Sequence, residues 1–282
     1  GKISISRALS TKASAAPDRP AITCGSRTLT RGELDRRTNR LARAYAALGV
    51  GAGSYVTIGL PNSIGFFEAA LAAWKLRAIP RGGSTGRPKL IVSGDPGLVD
   101  EGNPGTGLRA DGSVCVPGPL YHNAPFAFAS QGLFHGNHVS ILERFDAEAT
   151  LAEIERHRAD WTLLVPTMML RIWRLPESVR NRYDVSSLQT VWHMAAPCPP
   201  WLKQAWIEWI GAEKIWELYA GTEAQAVTII RGDEWLAHRG SVGRCLIGEM
   251  KVLDPTTFEE VPTGHEGEVF MRSTAPRPTY RY

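Results

Sequence analysis

Residues 189–211 read QTVWHMAAPCPPWLKQAWIEWIG. QTVWHM has the character of a short buried strand, AAPCP is a turn of small residues and prolines, and the remainder has helical periodicity. Pro199 or Pro200 fits the first helical turn and Gly211 the stop. The same order of strand, polar turn and helix recurs on both sides. VCVP leads through PLYHN to APFAFASQGLF, and HVSIL leads to a helix opened by Asp146 with Leu151 and Ile154 on one face. WTLLV leads to PTMMLRIW, and KIWELY leads to AGTEAQ. Strands alternating with helices in this way predict an α/β fold, a mainly parallel sheet with right-handed connections and helices on both faces.

Nearer the N-terminus, LTRGELDRRTNRLARAYAALGVGAG predicts a helix. Thr30 and Glu33 form a capping box, Leu34, Leu41, Tyr45 and Leu48 an apolar stripe, and Gly49 the stop. SYVTIGL predicts a strand, and a second helix runs from about Ile64 to Leu76 until Pro80 breaks it. After Ser241 the texture changes to EMKVLD and GEVFMRS, separated by the turn signals DPTT and PTGHEG. This predicts an α/β domain over 1–240 and a small β-rich subdomain over 241–282.

Composition narrows the function. A 43% hydrophobic content supports a sizeable core, and a net charge of +4 without a basic run or stripe argues against nucleic acid as a partner. The 4 cysteines (Cys24, Cys115, Cys198, Cys245) lie far apart without a CxxC, the pattern of a reducing compartment, so the cytoplasm is expected. The N-terminus lacks an apolar signal core, and no run of about 18 apolar residues suggests a transmembrane segment.

In an open α/β sheet ligands bind beyond the carboxyl ends of the strands. There this chain places His122 and Asn123, then Thr167, then Ala195-Ala196-Pro197, then Gly221-Thr222-Glu223. Singly, each has a structural explanation: a satisfied histidine, a loop, an N-cap. Their joint position at four strand ends predicts one crevice. Residues 81–90, RGGSTGRPKL, add three glycines that can turn backbone N–H groups inward, the hydroxyls of Ser84 and Thr85, and the charges of Arg87 and Lys89. That is what a polyphosphate needs, although a solvated turn has a similar composition. The stretch is not a Walker loop, because Pro88 intervenes and LIV follows as a strand. Glu223 supplies the hard oxygen ligand that Mg²⁺ favours when shared with phosphates.

GGSTGRPK resembles the phosphate loop of the adenylate-forming acyl-CoA synthetases, the AMP-binding superfamily. PLYHNAPF resembles their acyl-pocket motif, AAP their adenine-side loop and YAGTE their Tyr-Gly-x-Thr-Glu motif. The resemblance runs from about Leu29 to Phe270 and covers the family's N-terminal domain. It implies attack of a carboxylate on the α-phosphate of MgATP to give an acyl-adenylate, then displacement of AMP by coenzyme A. It also implies that Ser84, Thr85, Gly86 and Lys89 hold the outer phosphates. By the same resemblance Ala196 and Pro197 would flank adenine with Tyr219, Ala195, Ala220 and Gly221 would belong to the same nucleotide site, Thr222 would bond the α-phosphate and Glu223 would bind Mg²⁺. Lys89, Thr222 and Glu223 are then the catalytic candidates.

The departures are Ala220, where the family usually has Gly, and Gly82 and Gly83, where Ser or Thr is common. The sequence ends at TYRY, before the family's ribose-binding Asp, hinge and lysine-bearing C-terminal domain. The helix near Leu76 also passes through AIP straight into the phosphate loop. Segments of the natural chain are therefore expected to be absent near 80/81 and after Tyr282. Amino-acid-activating relatives carry a pocket Asp that PLYHNAPF lacks, so a bulky apolar acid of fatty, aromatic or steroid (bile-acid) type is expected. His122, Trp192 and His193 are the pocket candidates. The alternatives are transfer of the acyl group to a carrier protein and a non-catalytic nucleotide-binding module. A homo-oligomer is compatible with the sequence, and His135-x-x-His138 reads as structural.

Overall fold

The structure is a computed structural model that describes residues 2–82, 92–93, 98–100, 105–221, 224–274 and 280–281. Apart from the short strands Lys2–Ser4, Val92–Ser93, Leu98–Asp100 and Tyr280–Arg281, its strands in chain order are β1 (Pro20–Cys24), β2 (Arg27–Thr30), β3 (Tyr55–Ile58), β4 (Ile79–Gly82), β5 (Ser113–Val116), β6 (His138–Ile141), β7 (Trp161–Leu164), β8 (Thr190–Met194), β9 (Ile215–Ala220), β10 (Val227–Arg231), β11 (Arg244–Ile247), β12 (Glu249–Leu253) and β13 (Glu268–Arg272). Among the described residues, 9 strands form the main sheet in the order β11-β10-β9-β8-β7-β5-β6-β1-β2. The interior pairs from β9 to β1 are parallel, and the outer pairs β9–β10, β10–β11 and β1–β2 are antiparallel. The expected mainly parallel α/β sheet is what the chain forms.

Two helical layers cover it. On one face α1 (Ile5–Ala15), α3 (Ile64–Lys75) and α4 (Asn123–Phe134) bring Leu9, Phe66, Phe67 and Leu133 onto Val114, Val116, Trp161 and Trp192. The long helix α2 (Arg31–Ala47) joins this layer through Leu34. On the other face α5 (Ala147–His157), α6 (Pro166–Trp173) and α7 (Pro200–Ile210) bring Leu151, Ile154, Met169, Leu202 and Trp206 onto Cys115, Leu164, Val191 and Ile215. Strands β7 and β8 are buried at every residue, as continuous apolar runs in a parallel sheet require. The indole N–H groups of Trp161 and Trp192 each donate to the Thr106 carbonyl at 2.8 Å, so neither buried ring leaves its donor unpaired.

The local signals hold where the chain makes them alone. Thr30 and Glu33 form the reciprocal capping box of α2, Asp146 caps α5, and Gly211 ends α7. Three expectations change. The buried stripe of α2 is Leu34, Thr38 and Ala42, whereas Leu48 is 82% exposed because it lies beyond the last helical residue, Ala47. Pro80 does not merely break α3; it lies inside β4, which pairs parallel with β3 in a separate two-stranded unit, where an outer edge tolerates the missing N–H. Finally, β11 lies after residue 241 but pairs with β10 in the main sheet, so the β-rich unit reduces to the antiparallel pair of β12 and β13.

Two histidines carry a pH dependence. Burial, with the neighbouring His157, pulls His138 down to about 4, and burial with the Lys203 ammonium pulls His193 down to about 3. The unfolded chain, whose histidines titrate near ~6.5, takes up these protons first. The stability each contributes is therefore complete above about pH 6.5 and is lost as the pH falls toward the lower values, by about 1.4 kcal/mol per pH unit per histidine. Urea unfolding from neutral pH downward is expected to show this fall, with a shallower slope in His193→Leu and His138→Gln. Slopes equal to wild type in both variants would contradict the assignment.

Candidate functional site

Because the central strands are parallel, the loops after β5, β7, β8 and β9 all leave the same edge of the sheet. Asn62, just ahead of α3, organises part of that edge. Its Nδ2 donates to the carbonyls of Gly118 (3.0 Å) and Leu142 (2.9 Å), and its Oδ1 accepts from the Leu120 N–H (2.8 Å). One buried amide thus joins the loops after β5 and β6 to α3. Sequence reasoning missed it, since an Asn before an N-cap Ser63 carries no signal of long-range bonding.

Next along the edge, Met194 of β8 lies opposite Leu218 of β9, so Ala195 and Tyr219 sit side by side at the ends of adjacent strands. Ala195, Ala196 and Pro197 are exposed, Tyr219 is 39% exposed, and Ala220 and Gly221 are half-buried. Ala195 has φ +70°, a left-handed backbone that costs a non-glycine residue energy and turns the chain sharply off the strand. Small side chains beside the exposed Tyr219 ring leave the strand ends accessible, with a flat aromatic surface that suits a planar heterocycle.

Alternation along the strands separates the two faces behind these strand ends. Trp192, Trp216 and Leu218 share one face. The Trp192 ring lies 5.2 Å from Trp216 and 6.2 Å from Phe128 of α4. Trp192 is fully buried, but Trp216, Leu218, Phe126 and Phe128 are only partly so, and they form an apolar wall on the α4 side. His193 points the other way. It is fully buried against the α7 side, with Nε2 3.8 Å from Glu217 Oε2, so it does not share a pocket with Trp192 as the sequence reading had it. Two consecutive strand residues face opposite ways. Trp216 and Leu218 were legible in the alternation of KIWELY and went unremarked.

His122 is the exposed residue preceding α4, its ring 4.6 Å from that of Tyr121. His138 bonds Thr23 Oγ1 at 2.7 Å and packs edge-on against His157, in keeping with a structural role. Ser84, Thr85, Gly86, Lys89, Thr222 and Glu223 lie outside the described residues. Among the described residues no group of three acidic, His or Cys side chains is placed to hold a metal.

A family model described as AMP-binding enzyme matches residues 9–80 and 82–280. Among curated proteins, the chain is similar to the medium-chain acyl-CoA ligase ACSF2, mitochondrial, of Danio rerio, at 28% identity over 204 residues, 67% of this chain and 33% of that protein. It is similar also to 4-coumarate–CoA ligase 1 of Petroselinum crispum, at 29% over 204 residues, 67% and 37% respectively. The chain therefore spans about a third of the length of these relatives. Among solved structures, the N-terminal domain of FACL13 from Mycobacterium tuberculosis shares the fold with TM-score 0.76 at 19% identity, covering 96% of this chain and 89% of that one. A long-chain-fatty-acid–CoA ligase, FadD1 of Archaeoglobus fulgidus, does so with TM-score 0.75 at 18% identity, covering 97% and 75%.

The role of Asn62 is directly testable. Asn62→Ala leaves two buried carbonyls and one buried N–H without their partner and is expected to cost about 1–3 kcal/mol or more in chemical denaturation. A loss within experimental error of zero would show that the edge is held elsewhere.

Proposed function

This chain belongs to the AMP-binding enzyme family, and we propose that it activates a bulky apolar carboxylic acid with ATP and passes the acyl group to the thiol of coenzyme A. The observation that carries the reading is the pairing, on adjacent parallel strands, of the Ala195–Pro197 turn with Tyr219–Gly221, beside the apolar wall of Trp216 and Leu218. Relatives named as acyl-CoA and 4-coumarate–CoA ligases support it.

In this reading adenine lies between Ala195–Pro197 and the ring of Tyr219, with Ala220 and Gly221 leaving room for the ribose and α-phosphate to approach the backbone. Thr222 donates its hydroxyl to the α-phosphate, and Ser84, Thr85, Gly86 and Lys89 hold the outer phosphates. Glu223 would hold Mg²⁺, which supplies charge neutralisation for the phosphates when bound. The carboxylate oxygen attacks phosphorus, the bond to pyrophosphate breaks, and the thiol sulfur of coenzyme A then displaces AMP from the acyl carbon, giving its proton to solvent. The residues of this chain align the two reactants and stabilise negative charge developing at phosphorus.

The acid is of fatty, aromatic or steroid class, with its body against Trp216, Leu218 and Phe128 and near His122. The exposed surface of this wall is apolar, and PLYHNAPF places no carboxylate to pair with a substrate ammonium. The family match divides into two stretches meeting at residue 81, which supports a natural chain carrying an insertion there. The 4 cysteines are free, and no described helix is long and apolar enough to cross a membrane; we propose a cytoplasmic setting.

ATP–pyrophosphate exchange across aliphatic, aromatic and steroid acids and α-amino acids tests the proposal. Exchange is expected with acids lacking an amine, and efficient exchange with an α-amino acid would refute the substrate class, since a buried unpaired ammonium costs several kcal/mol. If a phosphopantetheinyl protein, and not coenzyme A, accepts the acyl group, the second step is the one to revise. Glu223→Gln is expected to slow adenylate formation about 10²–10³-fold, and Lys89→Ala mainly to raise the KM for ATP. Rates and KM values equal to wild type would remove both residues from the nucleotide site.

A further inference from the structure

Behind the Ala195–Pro197 turn lies a buried ionic cluster that the reaction does not use. Lys203, in the second half of the first turn of α7, is 1% exposed, and its Nζ donates to Glu217 Oε2 at 2.5 Å. The same ammonium lies 4.8 Å from the Trp235 ring. Glu217 is only 13% exposed at its side chain and precedes Tyr219 by two residues on β9. His193 fills the remaining side, fully buried, with neither ring nitrogen hydrogen-bonded among the described residues.

Three features set this cluster apart from ordinary core packing. Lys203 occupies the apolar stripe of α7, in line with Leu202, Trp206, Ile207 and Ile210, where a leucine or methionine would pack without desolvating a charge. A buried ion pair seldom improves stability over an apolar pair of the same volume, because removing both ions from water offsets their attraction. The geometry is also directional. The turn from Ala195 to Pro199 is held at one end by β8 and at the other by α7. Pro197, Pro199 and Pro200 have no N–H with which to brace it. The Lys203–Glu217 bond fixes α7, and so the far end of that turn, to β9 one step below Tyr219.

Resting on the nucleotide reading above, we propose that Lys203 and Glu217 are positioning residues, a buried tether that sets the separation between the Ala195–Pro197 turn and Tyr219 and thereby the fit of the adenine ring. Neither residue touches the ligand. The tether acts on the nucleotide side of the site, and the acyl wall, on the opposite face of β8 and β9, is outside its reach.

The test compares AMP binding, by calorimetric titration, with thermal unfolding and with the KM values for ATP and for the carboxylic acid. The variants are Lys203→Met/Glu217→Leu and Glu217→Gln. The paired apolar variant is expected to unfold at or above the wild-type temperature and yet to bind AMP about tenfold more weakly, the scale of one lost positioning hydrogen bond. KM for ATP rises and KM for the acid stays unchanged. A paired variant that is folded and binds AMP as wild type does overturns the proposal. If the paired variant does not fold, Glu217→Gln decides, since it keeps size and an acceptor oxygen: selective loss of AMP affinity supports the tether, whereas no loss or equal loss toward AMP and acid overturns it. Wild-type protein that fails to bind AMP at all overturns the nucleotide reading itself, and is told apart from failure of the tether by that control.

Discussion

A strand covered by helices on both faces can offer polar groups to a ligand only at its ends, and six neighbouring parallel strands ending at one edge concentrate them there. That constraint organises this protein. Strands β7 and β8 bury every side chain, so the groups able to meet a ligand are those just past Val116, Leu164, Met194 and Ala220. The same parallel register that pairs Met194 with Leu218 sets the turn at Ala195 against Tyr219. Asn62 adds the complementary constraint by stitching the loops after β5 and β6 to the start of α3.

The two faces behind that edge are built differently. Toward α4 the sheet presents indoles and aliphatic chains, and the tryptophan donors are satisfied by one carbonyl, Thr106, leaving an apolar surface. Toward α7 it presents Glu217 and His193 to Lys203. Burial there lowers the affinity of His193 for protons, and burial likewise lowers that of Lys203, opposed by its bond to Glu217. A neutral, apolar wall suits the body of an organic acid, and an ionic cluster suits the fixing of backbone. The division of labour we propose between substrate and nucleotide rests on the alternation of side chains along β8 and β9.

Much of the fold was legible because its signals are local. Capping at Thr30, Glu33 and Asp146, the proline-first start of α7 and its glycine stop depend on a few neighbouring residues, and so does the strand-helix rhythm. The misreadings came from relations between distant segments. Leu48 looked like part of a stripe until the helix ended before it, and Pro80 looked like a breaker because its partner strand, β3, lies more than twenty positions earlier. β11 resembled the start of a separate unit because only its pairing with β10 assigns it to the main sheet. For the site, motif order marked the strand ends, yet it could not say that His193 and Trp192 face apart without applying the two-residue period, nor that Asn62 reaches two separate loops.

We propose that the slot formed by Ala195–Pro197 and Tyr219–Gly221 receives an adenine ring, and a crystal structure of the protein grown with AMP is the decisive measurement. The purine is expected between the Ala196–Pro197 backbone and the Tyr219 ring, at the carboxyl ends of β8 and β9. A purine bound elsewhere, with this slot left open to solvent, would contradict it.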